Sequence, residues 1–147
     1  MKTTRFDKIM IVVDENPCSK SAVQQGYELA ADLGARVVLV DIVDAALAMG
    51  DVDAGIFPDE ALKRKKGKAE NMLRQMQDEC GGTVQSEIIT RTGEMKMVIP
   101  QLIAETGAKM IVIGAHRHTW LNRLIEGNPE ESMLLVSTVP VLVVPKI

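Results

Sequence analysis

Hydrophobic and polar positions alternate along the chain in two different periods. Ile9-Met10-Ile11-Val12-Val13 is an unbroken apolar run that stops at Asp14. An apolar run of that length reads as a strand buried on both faces, the environment of a parallel sheet. Pro17 to Ser19 punctuates a turn, and Ser19 or Ser21 is placed to cap a helix from about Lys20 to Leu33 that packs through Ala22, Val23, Tyr27, Leu29 and Ala30. Gly34 ends it. Val37-Val38-Leu39-Val40 predicts a second buried strand, closed by Asp41-Ile42-Val43-Asp44. Residues 45–58 mix small residues, glycines and acids and read as a loop or frayed helix.

Asp59 then opens a helix to about Glu79, with Leu62, Ala69, Met72, Leu73 and Met76 at helical spacing, and Gly81-Gly82 stops it. Val84 to Ile89 is a weaker third strand. Gly93-Glu94 turns the chain into a helix through Met97, Ile99, Leu102 and Ile103, which Pro100 is expected to kink or shorten. Met110-Ile111-Val112-Ile113, stopped by Gly114, is a fourth strand. Pro129 starts a last helix to about Val136, and Val139 to Val144 closes the chain as a strand. Strict alternation of strand and helix predicts an α/β fold: a doubly wound, five-stranded parallel sheet with helices on both faces, a Rossmann-like single domain over residues 1–147. Ligands of such sheets bind beyond the carboxyl ends of the strands, where strand order reverses. That points to Asp14-Glu15-Asn16, Asp41-Ile42-Val43 and the segment after Gly114.

Composition narrows the picture. Aromatics are 3% of a chain that is 46% hydrophobic, so the core is aliphatic. A net charge of −3 does not attract nucleic acid as a bulk polyanion. The one basic run, Lys63-Arg64-Lys65-Lys66-Gly67-Lys68, falls in a helix and reads as a solvated face, with a phosphate or partner patch as the alternative. Cys18 and Cys80 lie outside any metal-ligand spacing and read as free thiols of a reducing compartment. The opening Met1 to Asp7 lacks the apolar stretch of a signal peptide, and no apolar run approaches the roughly 18 residues of a membrane span. The expectation is a cytoplasmic protein that binds neither membrane nor nucleic acid.

The segments at the strand ends resemble those of the universal stress protein family. Ile11-Val12-Val13-Asp14 before a polar turn and helix, Gly93-Glu94 before the third helix, Met110 to Gly114, and the ending Val139-Pro140-Val141-Leu142-Val143-Val144-Pro145 follow the family's order over nearly the whole chain. The resemblance implies a stress-response or regulatory module that pairs as a homodimer through its final strand, Val141 to Val144. It also implies an adenine-nucleotide site for ATP or AMP with Mg. In nucleotide-binding members the acid ending strand one, here Asp14, faces the ligand near the adenosine, and backbone groups at the end of strand two, here Ile42 or Val43, meet the adenine edge. Asp41 stands where relatives often place a histidine.

Those members carry a glycine, two residues, a second glycine, nine residues, and a third glycine followed by Ser or Thr. Glycines admit backbone N–H groups to the phosphates, and a helix N-terminus adds its dipole. This chain keeps Gly114 and Gly127 at that separation, but Arg117 replaces the middle glycine and Asn128 replaces the Ser or Thr. Arg117 either grips a phosphate through its guanidinium or faces solvent on a loop that no longer binds. The helix start is more informative. Asn128 is a good N-cap, Pro129 suits the first helical position without an N–H, and Glu130 and Glu131 complement the dipole. A phosphate arriving there loses a donor and meets like charge, which costs about 1 kcal/mol per pair at 4 Å in water and more in a drier site.

A self-capped helix in a degenerate loop is therefore the preferred reading, with no catalytic residues assigned. The alternative is a working ATP or AMP site, with slow hydrolysis, in which Arg117 substitutes for glycine. His116 and His118 flank Arg117 as exposed loop residues and form a weak metal signal without a carboxylate or thiol. Trp120 reads as a packing anchor or an interface residue. Cys18, near a helix start but with no histidine partner, reads as an incidental thiol. The regulatory partner is not specified by the sequence.

Overall fold

The computed structural model describes residues 5–13, 18–43, 58–114 and 138–145. Among the described residues the elements run β1 (Lys8–Val12), α1 (Cys18–Leu33), β2 (Arg36–Val43), α2 (Pro58–Cys80), β3 (Ser86–Thr92), α3 (Met95–Thr106), β4 (Met110–Gly114) and β5 (Val141–Val144). The strands form one sheet in the order β3-β2-β1-β4-β5. Every pairing is parallel, with Ile9 opposite both Val37 and Met110, and Gly114 opposite Val144.

The apolar runs explain the two-sided burial. Ile9, Ile11 and Val13 of the first strand segment join Val37, Leu39 and Val112 under α1 and α2, whose Ala22, Val23, Tyr27, Ala30 and Leu73 complete that layer. The alternate residues Met10, Val12, Val38, Val40, Ile111 and Ile113 face the opposite layer, where α3 supplies Val98, Ile99 and Leu102. Strand side chains alternate between faces, so an unbroken run serves both layers at once. Each fully buried Leu or Ile side chain contributes about 1.5–3 kcal/mol relative to exposure.

The expected parallel sheet with helices on both faces is therefore the observed one, but several boundaries move. The first helix begins at Cys18, so Ser19 and Ser21 lie within its first turn rather than capping it, and Ser19 is buried. Asp41, Ile42 and Val43 continue β2 instead of closing it. The third strand runs Ser86–Thr92, later than the Val84–Ile89 expected, because pairing to β2 carries it through the polar Thr90-Arg91-Thr92. Pro100 neither shortens nor ends α3: the helix continues to Thr106 and closes on Gly107, whose φ of 71° is left-handed and whose N–H donates to the Ile103 carbonyl at 2.9 Å. The last strand begins at Val141 rather than Val139. The helix expected from Pro129 to Val136 lies outside the described residues.

Candidate functional site

The strand order reverses between β1 and β4: from β1 the chain proceeds to β2 and β3 on one side, and β4 and β5 lie on the other. A crevice beyond the carboxyl ends of these two strands is where a doubly wound sheet takes its ligand. Its described rim consists of Val13 at the end of β1, Asp41, Ile42 and Val43 at the end of β2, and Gly114 at the end of β4. Gly114 follows directly on Ile113, the partner of Val12, and so stands beside the end of β1. Asp14, Arg117, Gly127 and Asn128 lie outside the described residues, as do His116, His118 and Trp120.

The ladder distinguishes Ile42 from Val43. The Val37 amide donates to the Gln85 carbonyl at 2.9 Å, and the Val43 carbonyl accepts from Gly93 N–H at 3.0 Å, so the odd residues of β2 are committed to β3. The Val40 carbonyl accepts from Val13 N–H at 2.8 Å, so the even residues turn to β1. By this alternation the amide and carbonyl of Ile42 point to the β1 side, toward the crevice, and those of Val43 point away from it. The sequence offers Ile42 or Val43 without choosing, because the register that separates them is set by long-range pairing.

Gly93 holds this end of the sheet together. Its φ is 145°, and a Cβ there would stand 2.9 Å from Val98 Cγ2. A glycine lets the strand turn directly into α3 while its N–H reaches Val43. Glu94 occupies the N-cap position with extended backbone but caps nothing through its side chain; its carbonyl accepts from the Met97 and Val98 amides at 3.0 and 2.9 Å. Asp41 is buried in β2, 7% exposed, although the sequence suggested only an acid closing the strand.

The described polar groups with displaced titration lie at the opposite end of the sheet. Tyr27 OH donates to Ser86 Oγ at 2.8 Å, and Gln77 Nε2 donates to both the Ser86 carbonyl (2.9 Å) and its Oγ (3.0 Å). Burial pushes the Tyr27 hydroxyl up, against the lowering effect of Ser86. Burial, aided by the Glu79 carboxylate, likewise pushes the Cys80 thiol up. A thiol held protonated is a poor nucleophile and a poor metal ligand. Among the described residues no group of three His, Cys, Asp or Glu side chains could hold a metal ion, and no helix is long and apolar enough to cross a membrane.

A family model, the Universal stress protein family, matches residues 5–145, and the chain belongs to that family. Universal stress protein MJ0531 of Methanocaldococcus jannaschii is 26% identical over 143 residues, covering 96% of this chain and 83% of its own. Among solved structures, universal stress protein UspA from Lactobacillus plantarum superposes with a TM-score of 0.76 at 19% identity, covering 97% of this chain and 99% of its own. A universal stress protein in complex with cAMP gives 0.67 at 18% identity over 97% and 98% of the two chains. The universal stress protein from Archaeoglobus fulgidus in complex with dAMP gives 0.56 at 21% identity over 92% and 95%.

Proposed function

We propose that this chain is a non-catalytic regulatory module of the stress response, acting as a homodimer, in which the nucleotide loop is degenerate. The observation that carries the reading is the segment Gly114 to Glu131. It keeps the outer glycines of the family's phosphate loop, but Arg117 stands at the middle position, and Asn128-Pro129-Glu130-Glu131 reads in sequence as a helix start with its own cap and charge. A helix terminus satisfied in this way offers a triphosphate fewer donors and adds repulsion. The homodimer reading is supported by β5, an edge strand on which Leu142 and Val143 are 42% and 39% exposed. An exposed apolar edge is a surface that proteins cover or pair.

A second reading is favoured by the neighbours solved with cAMP and dAMP, each carrying a single phosphate. In that reading the crevice takes an adenine nucleoside monophosphate. The Ile42 backbone meets the adenine edge, Asp14 faces the adenosine, and Gly114, Arg117, Gly127 and Asn128 border the phosphate. The Arg117 guanidinium takes the place of the loop glycine and holds that phosphate, and the same replacement extended to ATP with Mg, with slow hydrolysis, is the wider form of this reading.

Thermal unfolding with and without millimolar ATP and Mg, and separately with AMP, tests both. A specific ligand raises Tm by mass action. The first reading predicts no shift with either and a gain of ATP response in Arg117→Gly. The second predicts a shift with AMP that Arg117→Gly abolishes. A rise of several degrees with ATP and Mg in the unaltered chain contradicts the degenerate loop. Light scattering on Leu142→Lys tests the dimer: the mass falls to that of one chain if β5 is the interface, and is unchanged if it is not.

A further inference from the structure

We infer that the outer face of the first half of α2 is a docking surface for an acidic polypeptide segment of a partner protein. Five cations fall within six consecutive positions, Lys63, Arg64, Lys65, Lys66 and Lys68, in a chain whose net charge is −3. Ala69 and Leu73 bury the inner face of the helix, and Lys63, Arg64, Gly67, Lys68, Asn71 and Arg74 are exposed on the outer one. A solvated helix face ordinarily interleaves its charges, and α2 does so at either end of the run, where Arg64 meets Glu60 at 3.5 Å and Arg74 meets Glu70 at 2.7 Å. Among the described residues, Lys63, Lys65, Lys66 and Lys68 have no ion pair. They are instead set against one another: Lys63 and Lys66, Lys65 and Lys68, and Arg64 and Lys68 are like-charged neighbours at i,i+3 or i,i+4 spacing, which disfavours the helix.

Gly67 stands in the middle of this patch, exposed, and among the described residues nothing lies within 4 Å of the place a Cβ would occupy. Among the described residues no turn or close packing requires a glycine there, and glycine weakens a helix interior. A patch that departs from helix-favouring choices in both charge and side chain is suited to something that approaches it closely and brings negative charge. The face from Lys63 to Arg74 is about 16 Å long at 1.5 Å per residue. That length matches a short peptide, and α2 carries no aromatic residue on which nucleic-acid bases could stack. Carboxylates along a polypeptide complement the patch in charge and in reach.

The test is fluorescence anisotropy of a fluorescein-labelled octapeptide of alternating Glu and Asp, titrated with the full chain. Binding is expected to weaken about tenfold between low and moderate salt, as screening shortens the reach of exposed charges. A double reversal, Lys63→Glu with Lys68→Glu, is expected to weaken it at least about tenfold, and Lys63→Gln with Lys68→Gln to a smaller extent. Arg36→Glu with Lys109→Glu changes the net charge as much as the first pair but at the opposite ends of the strands, and is expected to leave binding unchanged. Far-UV circular dichroism confirms that each variant is folded. Equal losses from both reversals would overturn the inference, since they would show general attraction only. A single-stranded oligonucleotide of equal charge binding as tightly would overturn it in favour of a polyanion surface. A fall in molecular mass on reversing Lys63 and Lys68 without peptide would overturn it in favour of a second copy of the chain on this face.

Discussion

Replacing Gly26 by alanine should destabilise the protein, although it improves an α-helix. Gly26 lies in the middle of α1, where alanine in place of glycine is worth about 0.8–1 kcal/mol of helix propensity. The new Cβ, however, would stand 2.5 Å from Ile11 Cδ1, 2.9 Å from Ile11 Cγ1 and 3.6 Å from Val112 Cγ1. Ile11 is 0% exposed, so its side chain has no solvent to swing into. Overpacking a tight core costs about 1–3 kcal/mol, so the net loss is about 1 kcal/mol, or about 2–4 °C in Tm for a chain of this size. Equilibrium unfolding in urea measures it. A double-mutant cycle with Ile11→Val separates the clash from other effects, because valine lacks the Cδ1 atom at 2.5 Å. Alone, Ile11→Val should cost about 0.5–1.5 kcal/mol, and in the Gly26→Ala background it should cost almost nothing. A stabilising Gly26→Ala, or strict additivity in the cycle, would refute the claim that α1 rests directly on β1 and β4 at this point.

The same substitution at Gly67 should have the opposite sign, raising stability by about 0.5–1 kcal/mol in urea unfolding, since among the described residues its Cβ meets nothing within 4 Å. The Arg91–Glu105 pair is bidentate at 3.2 and 2.7 Å but almost half exposed, so a double-mutant cycle should give a coupling of about 0.5–1 kcal/mol that shrinks with added salt. In a Cys18→Ser background, iodoacetamide should alkylate Cys80 slowly at neutral pH and faster only above the thiol's ordinary value of 9.0. The folded protein holds the Cys80 proton more tightly than the unfolded chain does. The stability this contributes is complete below that ordinary value and is lost as pH rises through it toward the raised folded value. Unfolding free energies that grew with alkaline pH would contradict that sign.

The parts of the fold that were legible are those where burial is two-sided. Ile9 to Val13, Val37 to Val40 and Met110 to Ile113 announce strands because every position must be apolar. Edge strand β3 is only partly buried along its length, so Thr90, Arg91 and Thr92 carry no apolar signal, and its end was misplaced. Asp41 was taken for a boundary because an acid ordinarily marks one, yet pairing with Thr90 keeps it in the strand. Of the candidate site only the strand ends were legible, as the places where the apolar runs of β1, β2 and β4 stop. Its details were not, because the separate directions of the Ile42 and Val43 backbones depend on register with β1 and β3. Gly93 was noted as a turn, but its demand for glycine comes from a φ of 145° and from Val98 in the next helix, 2.9 Å from where a Cβ would stand.

The proposed degeneracy of the phosphate loop is tested most directly by denaturing the freshly purified protein and measuring released adenine nucleotide by mass spectrometry. The account predicts no ATP at a level comparable to the protein. ATP released at about one molecule per chain would contradict it, because so tight a ligand would show that neither the missing N–H of Pro129 nor the charges of Glu130 and Glu131 keep a triphosphate out.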